Sequence, residues 1–432
     1  MLTFVAILKP LLFYNTLSFL VLILIPSVVF GMNIRYIVPS FIYFFLLARM
    51  IIFFPLTTAF YVFYAAYTVV VLWLKNLKHR FVLSKRLLAS VMFLIAIGFY
   101  DVLLLFLEVT GGEFVYEAVR ASAYSVLFTF VGYLYYKISR VHTKSSLFLN
   151  LFVLLAVTIF YLFVFQRALT VYGRIKRDFW LGEIFGIETS RYTRVDPNFF
   201  SVYFGILAAL FLSKETKYFL IATLLLILLN LSFLYSVTGI FIIIVMLFYI
   251  MRDKSFLQKV LFIVAIASFL VGIIVKYIDV KYKSMLANVM NPNLLELTDI
   301  ILTGRLSVWL AYIRLIVDNP FGVSSPLGWL KVSQYLGFPF MAHNFWLEVM
   351  AYWGLLMGIV IFGIIFLIYF RLHHEKRRND ILLASVIWFL ASLVLSMAQV
   401  DITYFLFGSI ICWFDMRRKE LNKHVLPHVL RT

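Results

Sequence analysis

Apolar residues run along this chain in blocks, most of them about 17 to 25 residues long, the length needed to cross the hydrocarbon core of a bilayer as a helix. The blocks fall near 12–31, 36–54, 56–74, 88–108, 119–136, 147–165, 198–213, 219–235, 238–251, 260–277, 343–370, 381–398 and 402–414. The connections between them alternate in charge. Lys75, Lys78, Arg80, Lys85 and Arg86 make one strongly basic connection, and the next carries Glu108, Glu113 and Glu117. Basic connections return at Lys137–Lys144, Lys214–Lys217, Arg252–Lys259 and Arg371–Arg378, and in the tail from Arg417. Cytoplasmic loops collect Lys and Arg, so the basic connections read as cytoplasmic. Two long loops, 166–197 and 278–342, then lie outside. The first 74 residues read as two, three or four spans. An even count is preferred, which gives about twelve spans in all, or fourteen; three would give thirteen. The expected fold is all-α: a polytopic transmembrane helical bundle, one integral membrane domain over residues 1–432.

Composition supports that solvent. The 432 residues are 64% hydrophobic and 13% charged, whereas a soluble domain is nearer half apolar and a quarter charged. Aromatic residues make up 19%, 47 of them Phe, which suits lipid-facing surface with Tyr and Trp near the interfaces. A net charge of +18 would suggest nucleic acid in a soluble protein. Here it sits in short cytoplasmic loops, so no nucleic-acid partner is expected, and membrane lipid is. The single cysteine, Cys412, excludes an intramolecular disulfide and a cysteine metal cluster. The apolar N-terminus has no small-residue cleavage site after it and is expected to be retained.

Six of the seven histidines lie in segments assigned to the cytoplasm. His343 alone faces the other side, where the second long loop re-enters the membrane. Imidazole changes charge near neutral pH, which makes this residue a candidate general base; the plainer reading is an interfacial histidine bonded to a nearby carbonyl. His343, Leu347, Gly354 and Gly358 fall on one helical face, so the glycines are expected to admit a neighbouring helix. The first outer loop holds an excess of base, including Arg191 and Arg194 just before Asp196-Pro197-Asn198. That runs against the charge rule, and either an anionic ligand or lipid headgroups would account for it. In the second loop, Arg305 to Val317 reads as a helix on the membrane surface, stopped by Asp318-Asn319-Pro320. Arg305 in its first turn is unfavourable for the helix dipole, yet free N–H groups there attract phosphate. Arg314 lies about 180° around the helix from it and belongs elsewhere. Asp101 sits inside an apolar run and Asp401 at a short outer turn; each is a functional candidate or a bond to a neighbour. HExxH, P-loop and GxGxxG patterns are absent, so no metal or nucleotide cofactor is expected.

Three pieces together resemble the O-antigen polymerase and O-antigen ligase superfamily. They are Asp196-Pro197-Asn198 opening a span; Thr303-Gly304-Arg305 with Trp309 and then Asn319-Pro320-Phe321-Gly322; and His343-Asn344 followed after nine residues by Gly354. Two departures stand out. Met357 occupies a position that is usually small or Tyr, and Ser236-Val237-Thr238-Gly239 lacks an arginine that members often carry. The resemblance implies a GT-C-like membrane glycosyltransferase of the bacterial inner membrane, its site facing the periplasm. It further implies an undecaprenyl-pyrophosphate-linked oligosaccharide as donor and a chain-length regulator as a potential partner. His343 would act as base, and Arg305 with Arg191 or Arg194 would hold the pyrophosphate. Asn344, Asn198, Gly354 and Trp309 would support them. Inversion at the anomeric carbon is expected, because no nucleophile is arranged for two displacements. Repeat-unit polymerisation is preferred to ligation onto lipid A–core, and a flippase of lipid-linked sugars is the alternative of another class.

Overall fold

The computed structural model describes residues 28–29, 36–48, 66–67, 70, 84–107, 112–141, 144–172, 197–231, 236–262, 264, 305–373, 380–395, 397 and 401–429. Among these the regular structure is all helical. In chain order the helices are α1 (Ile37–Ala48), α2 (Lys85–Leu107), α3 (Gly112–Val141), α4 (Lys144–Tyr172), α5 (Pro197–Leu212), α6 (Thr216–Leu229) and α7 (Val237–Met251). They are followed by α8 (Arg305–Asp318), α9 (Ser325–Lys331), α10 (Ser333–Leu336), α11 (Phe345–His373), α12 (Asp380–Ser392) and α13 (Asp401–Val429). α2, a stretch of α4 (Leu147–Val164) and α11 are each long and apolar enough to cross a membrane, and shorter apolar segments lie in α1, α5, α6, α7 and α12.

The outward faces show what solvent these helices require. On α2 the exposed stripe is Leu88, Met92, Ile95, Phe99, Leu103 and Phe106, while Asp101 is buried on the opposite side. α4 exposes Phe148, Phe152, Leu155, Ile159 and Phe163 at the same helical spacing. A surface helix of a soluble protein has the reverse arrangement. Stripes of this kind are stable only against lipid, so the chain is an integral membrane protein.

α13 packs most extensively against α3, α2 also lies on α3, and α12 sits between α5 and α11. Gly132 and Gly408 let α3 and α13 touch backbone to backbone. A Cβ on Gly132 would strike the Phe405 carbonyl, and one on Gly408 would strike that of Thr129. Ser409 Oγ donates to the Gly132 carbonyl across the same crossing, at 3.2 Å. Small residues of this kind allow close helix association where lipid supplies no hydrophobic drive.

Basic residues collect at one end of the bundle. The basic end gathers Arg86, Lys137, Arg140 and Lys214. There Arg140 pairs with the buried Asp380, joining α3 to α12, and Arg86 pairs with Asp415 at 3.7 Å. The opposite end carries the start of α5, Ser236 at the start of α7, and α8 to α10. The acidic connection expected around Glu113 and Glu117 is shorter than the sequence suggests. α3 already begins at Gly112, and carboxylates in the first turns of a helix favour its dipole. α4 likewise runs to Tyr172, past the expected start of the first long loop.

Candidate active site

The site is assembled at the end opposite the basic one, around the segment that joins α8 to α11. α8 spans Arg305–Asp318. Val308, Ala311, Tyr312, Leu315 and Ile316 form its buried face. Asn319 ends it, both its N–H and its side-chain amide donating to the Leu315 carbonyl at 3.0 Å, and Pro320 prevents continuation. Arg314 is on the exposed side, away from Arg305. Beside it, Tyr335 donates to the Asp318 carboxylate, and that bond, ahead of burial, raises the Tyr335 hydroxyl above its ordinary pKa.

His343 does not lie on α11. It stands two residues ahead of the helix, with a positive φ of 49°. A side chain with a Cβ in that region costs about 1–2 kcal/mol, so the surroundings must impose it. They do so from both sides. The Trp309 indole N–H donates to the Ala342 carbonyl at 2.9 Å, and the Tyr312 hydroxyl donates to the Phe340 carbonyl at 3.0 Å. Behind His343, Asn344 caps α11: its Oδ1 accepts from the N–H groups of Trp346 (3.0 Å) and Leu347 (3.1 Å). Its amide also donates to the Leu393 carbonyl at the end of α12, at 3.1 Å. The half-buried imidazole packs edge-on to Phe340, with ring centroids 5.4 Å apart. Beneath this turn Tyr312, Glu348 and Tyr352 are all buried. Burial first, and then the charge of Glu348, raises the Tyr312 hydroxyl well above its ordinary pKa and keeps it a hydrogen-bond donor.

Gly354 has a different role from the one its spacing suggests. It does not present a smooth face to another helix; it breaks α11, with φ 85° and ψ 164°. The break removes helical partners from three backbone groups, and the segment after α8 replaces them. Val323 N–H donates to the Ala351 carbonyl (3.0 Å), Ser324 N–H to that of Tyr352 (3.0 Å), and Leu355 N–H to that of Pro320 (2.8 Å). Irregular backbone at membrane depth persists only where protein groups satisfy it. Gly322 is required opposite, since a Cβ there would lie 2.5 Å from the Tyr352 carbonyl oxygen. The Asn319-Pro320-Phe321-Gly322 and Gly354 motifs are thus two halves of one backbone lock. The second glycine of the expected stripe, Gly358, meets only Met350 of its own helix.

α2 grips the same segment. Tyr100 donates to the Phe321 carbonyl at 2.7 Å. Asp101 accepts from Ser325 N–H at 2.7 Å and from its hydroxyl. The buried acid flagged in the sequence is therefore an anchor for the loop that precedes His343. Asp401 accepts from the neighbouring Ile402 N–H at 2.9 Å, as a first-turn acid of α13. Below the anchor, α2, α3, α11, α12 and α13 enclose an apolar cavity of about 580 Å³, running from Asp101, Ser325 and Trp346 to Tyr369.

Asn198 opens α5 after Pro197 and meets Ser236, whose hydroxyl donates to Asn198 Oδ1 at 2.7 Å. Ser236 also caps α7, accepting from Gly239 N–H at 2.9 Å, and its own N–H donates to Asn230 Oδ1 at 3.0 Å. In this chain Ser236-Val237-Thr238-Gly239 is thus a capping turn bonded to Asn198; Asp196 lies outside the described residues. Arg191 and Arg194 lie outside the described residues, as do Thr303 and Gly304.

Arg305, Trp309, His343, Asn344 and Gly354 are therefore joined through α8 and the lock, while Asn198 belongs to a separate polar turn. Tyr312, Glu348, Asn230 and the partner of Gly354 were not read from the sequence. Tyr312 had a signal, lying three residues after Trp309 and seven after Arg305 on one face. The residues between α6 and the middle of α11 also match a known family: the O-antigen ligase model covers residues 218–362. That match covers about a third of the chain, the part carrying Arg305, Trp309, His343, Asn344 and Gly354. No curated protein and no solved structure matches the chain.

Proposed function

We propose that the protein is a metal-independent, inverting membrane glycosyltransferase that polymerises oligosaccharide repeat units carried on undecaprenyl pyrophosphate. In this reading it has about twelve spans in a GT-C-like plan, lies in the bacterial inner membrane and presents His343 to the periplasm. The observation that carries the reading is the imidazole held at a strained turn on the end of the bundle opposite the basic end, its neighbour Ala342 bonded by Trp309 of the helix that begins with Arg305. His343 takes the proton of the acceptor hydroxyl as that oxygen attacks the anomeric carbon. The bond from that carbon to the pyrophosphate oxygen breaks, and negative charge grows on the leaving group. Arg305, the N–H groups of the first turn of α8, and Arg191 or Arg194 meet that charge. The apolar cavity beside Trp346 supports a substrate carried on a long lipid. A chain-length regulator is the protein partner this reading calls for.

Ligation is the second reading, favoured by the description of the matching family as O-antigen ligase. The acceptor separates the two. Purified protein in nanodiscs, given the lipid-linked oligosaccharide alone, should produce a ladder of longer lipid-linked chains. Product only when lipid A–core is added would assign the ligase. No transfer to either acceptor would refute both.

A further inference from the structure

Arg305, Trp309 and Tyr312 lie within about 60° of one another around α8 and within about 10 Å along it. Two of the three side chains are committed to carbonyls that bracket the approach to His343. Trp309 takes that of Ala342, adjoining the histidine, and Tyr312 takes that of Phe340. Phe340 in turn supplies the ring against which the imidazole packs. Tyr312 is fully buried and gains nothing from solvent by making its bond. The left-handed backbone at His343 is thus paired with donors from one helix stripe, and the third member of that stripe is the arginine.

We propose that Tyr312 and Trp309 are positioning residues. They make α8 a rigid spacer that sets the height and direction of His343 relative to Arg305. The inference rests on the glycosyl-transfer reading only for its kinetic consequence; the placement of the imidazole stands apart from it. Tyr312 acts through the Phe340 carbonyl and Trp309 through the Ala342 carbonyl, and neither need touch the sugar. Loss of either bond lets the turn relax from its positive φ and moves the imidazole off the line of the acceptor hydroxyl. Displacements of about 1 Å at a reacting group cost on the order of 100-fold in rate.

The test uses the full chain in detergent or nanodiscs, with Tyr312→Phe, which deletes one hydroxyl, and Trp309→Phe, which deletes the indole N–H. Tyr335→Phe breaks a bond of similar kind, to Asp318 at the last residue of α8, and serves as control. The first readout needs no substrate: the rate at which diethylpyrocarbonate modifies His343, followed by mass spectrometry of its peptide. It should rise about three- to tenfold in both positioning variants, as for loss of one hydrogen bond, and not in the control. The second is turnover of lipid-linked oligosaccharide. There kcat should fall about 10- to 100-fold, with KM changed by less than about twofold. Unchanged modification of His343 in whichever of the two variants folds would overturn the proposal, as would an unchanged kcat in an active enzyme. If the wild type turned over no glycan while His343 modification still rose, the glycosyl-transfer reading would fall and the positioning would stand.

Discussion

Gly354→Ala is the most demanding perturbation of the lock. At φ 85° and ψ 164° the residue occupies backbone space that is essentially reserved for glycine and costs a substituted residue about 1–3 kcal/mol. An added Cβ would also lie 2.5 Å from the Phe321 carbonyl carbon, 2.6 Å from its oxygen and 2.8 Å from the Pro320 oxygen. These are backbone atoms and cannot swing aside. The segment 320–324 must withdraw, and with it go the three bonds to Ala351, Tyr352 and Leu355. At about 1 kcal/mol net for each, the whole comes to about 4–6 kcal/mol, a large part of the 5–15 kcal/mol that holds typical domains. The neighbouring glycines provide the scale. Gly358→Ala meets only the flexible Met350 Cγ at 2.8 Å, and Gly363→Ala meets nothing within 4 Å. The latter should be neutral or stabilising by about 0.5–1 kcal/mol through helix propensity. Equilibrium unfolding in mixed micelles, for example by steric trapping, orders the three. The expected order of stability is Gly363→Ala, then Gly358→Ala, then Gly354→Ala far below. A Gly354→Ala protein within about 1 kcal/mol of Gly363→Ala would refute the lock.

Asp101→Ala leaves the Ser325 N–H and hydroxyl unanswered in a buried site and should cost about 2–4 kcal/mol; Asp101→Asn keeps one acceptor and should cost less, by the same unfolding assay. Asn344→Ala removes the α11 cap and its tie to Leu393. It should destabilise by about 1–2 kcal/mol and depress glycan transfer, while Asn344→Asp, which keeps the capping oxygen, should recover most of the stability. Lys214, in the turn between α5 and α6, is pushed down to about 8 by burial, reinforced by Arg140 and opposed by Asp380. Its cation is therefore held less readily in the folded protein than in the unfolded chain, where the value is 10.5. The penalty is complete below pH 8 and fades as pH rises toward 10.5. Lys214→Met should raise the melting temperature at pH 7 by a few degrees or less, and the gain should vanish near pH 10.5; an equal gain at both pH values would contradict this.

Much of this was legible in the chain because lipid leaves few choices. Apolar runs marked α2, α11 and the membrane-crossing stretch of α4 within a few residues, though α4 itself runs on to Tyr172, and the charge of their connections gave the sorting of the bundle ends. The extent of α8 followed from the Asp-Asn-Pro stop. The lone histidine outside the basic loops was visible from its neighbours. What stayed hidden involves pairing between distant segments. Nine residues separate Asn344 from Gly354, and that spacing suggested a helical stripe; nothing local reveals that residues 320–324 supply the partners of a broken helix. Asp101 looked like an isolated acid, because Ser325 lies more than two hundred positions away. His343 looked like the first residue of α11, because the strain at that position comes from Trp309 and Tyr312 rather than from its own sequence.

The central claim is that His343 is the base for glycan transfer. It is tested most directly by reconstituting purified wild-type and His343→Ala proteins with the lipid-linked oligosaccharide and following chain length together with release of lipid pyrophosphate. The account predicts a ladder and equimolar release per bond formed from the wild type, and neither from an equally stable His343→Ala. An unchanged ladder from the variant would contradict it.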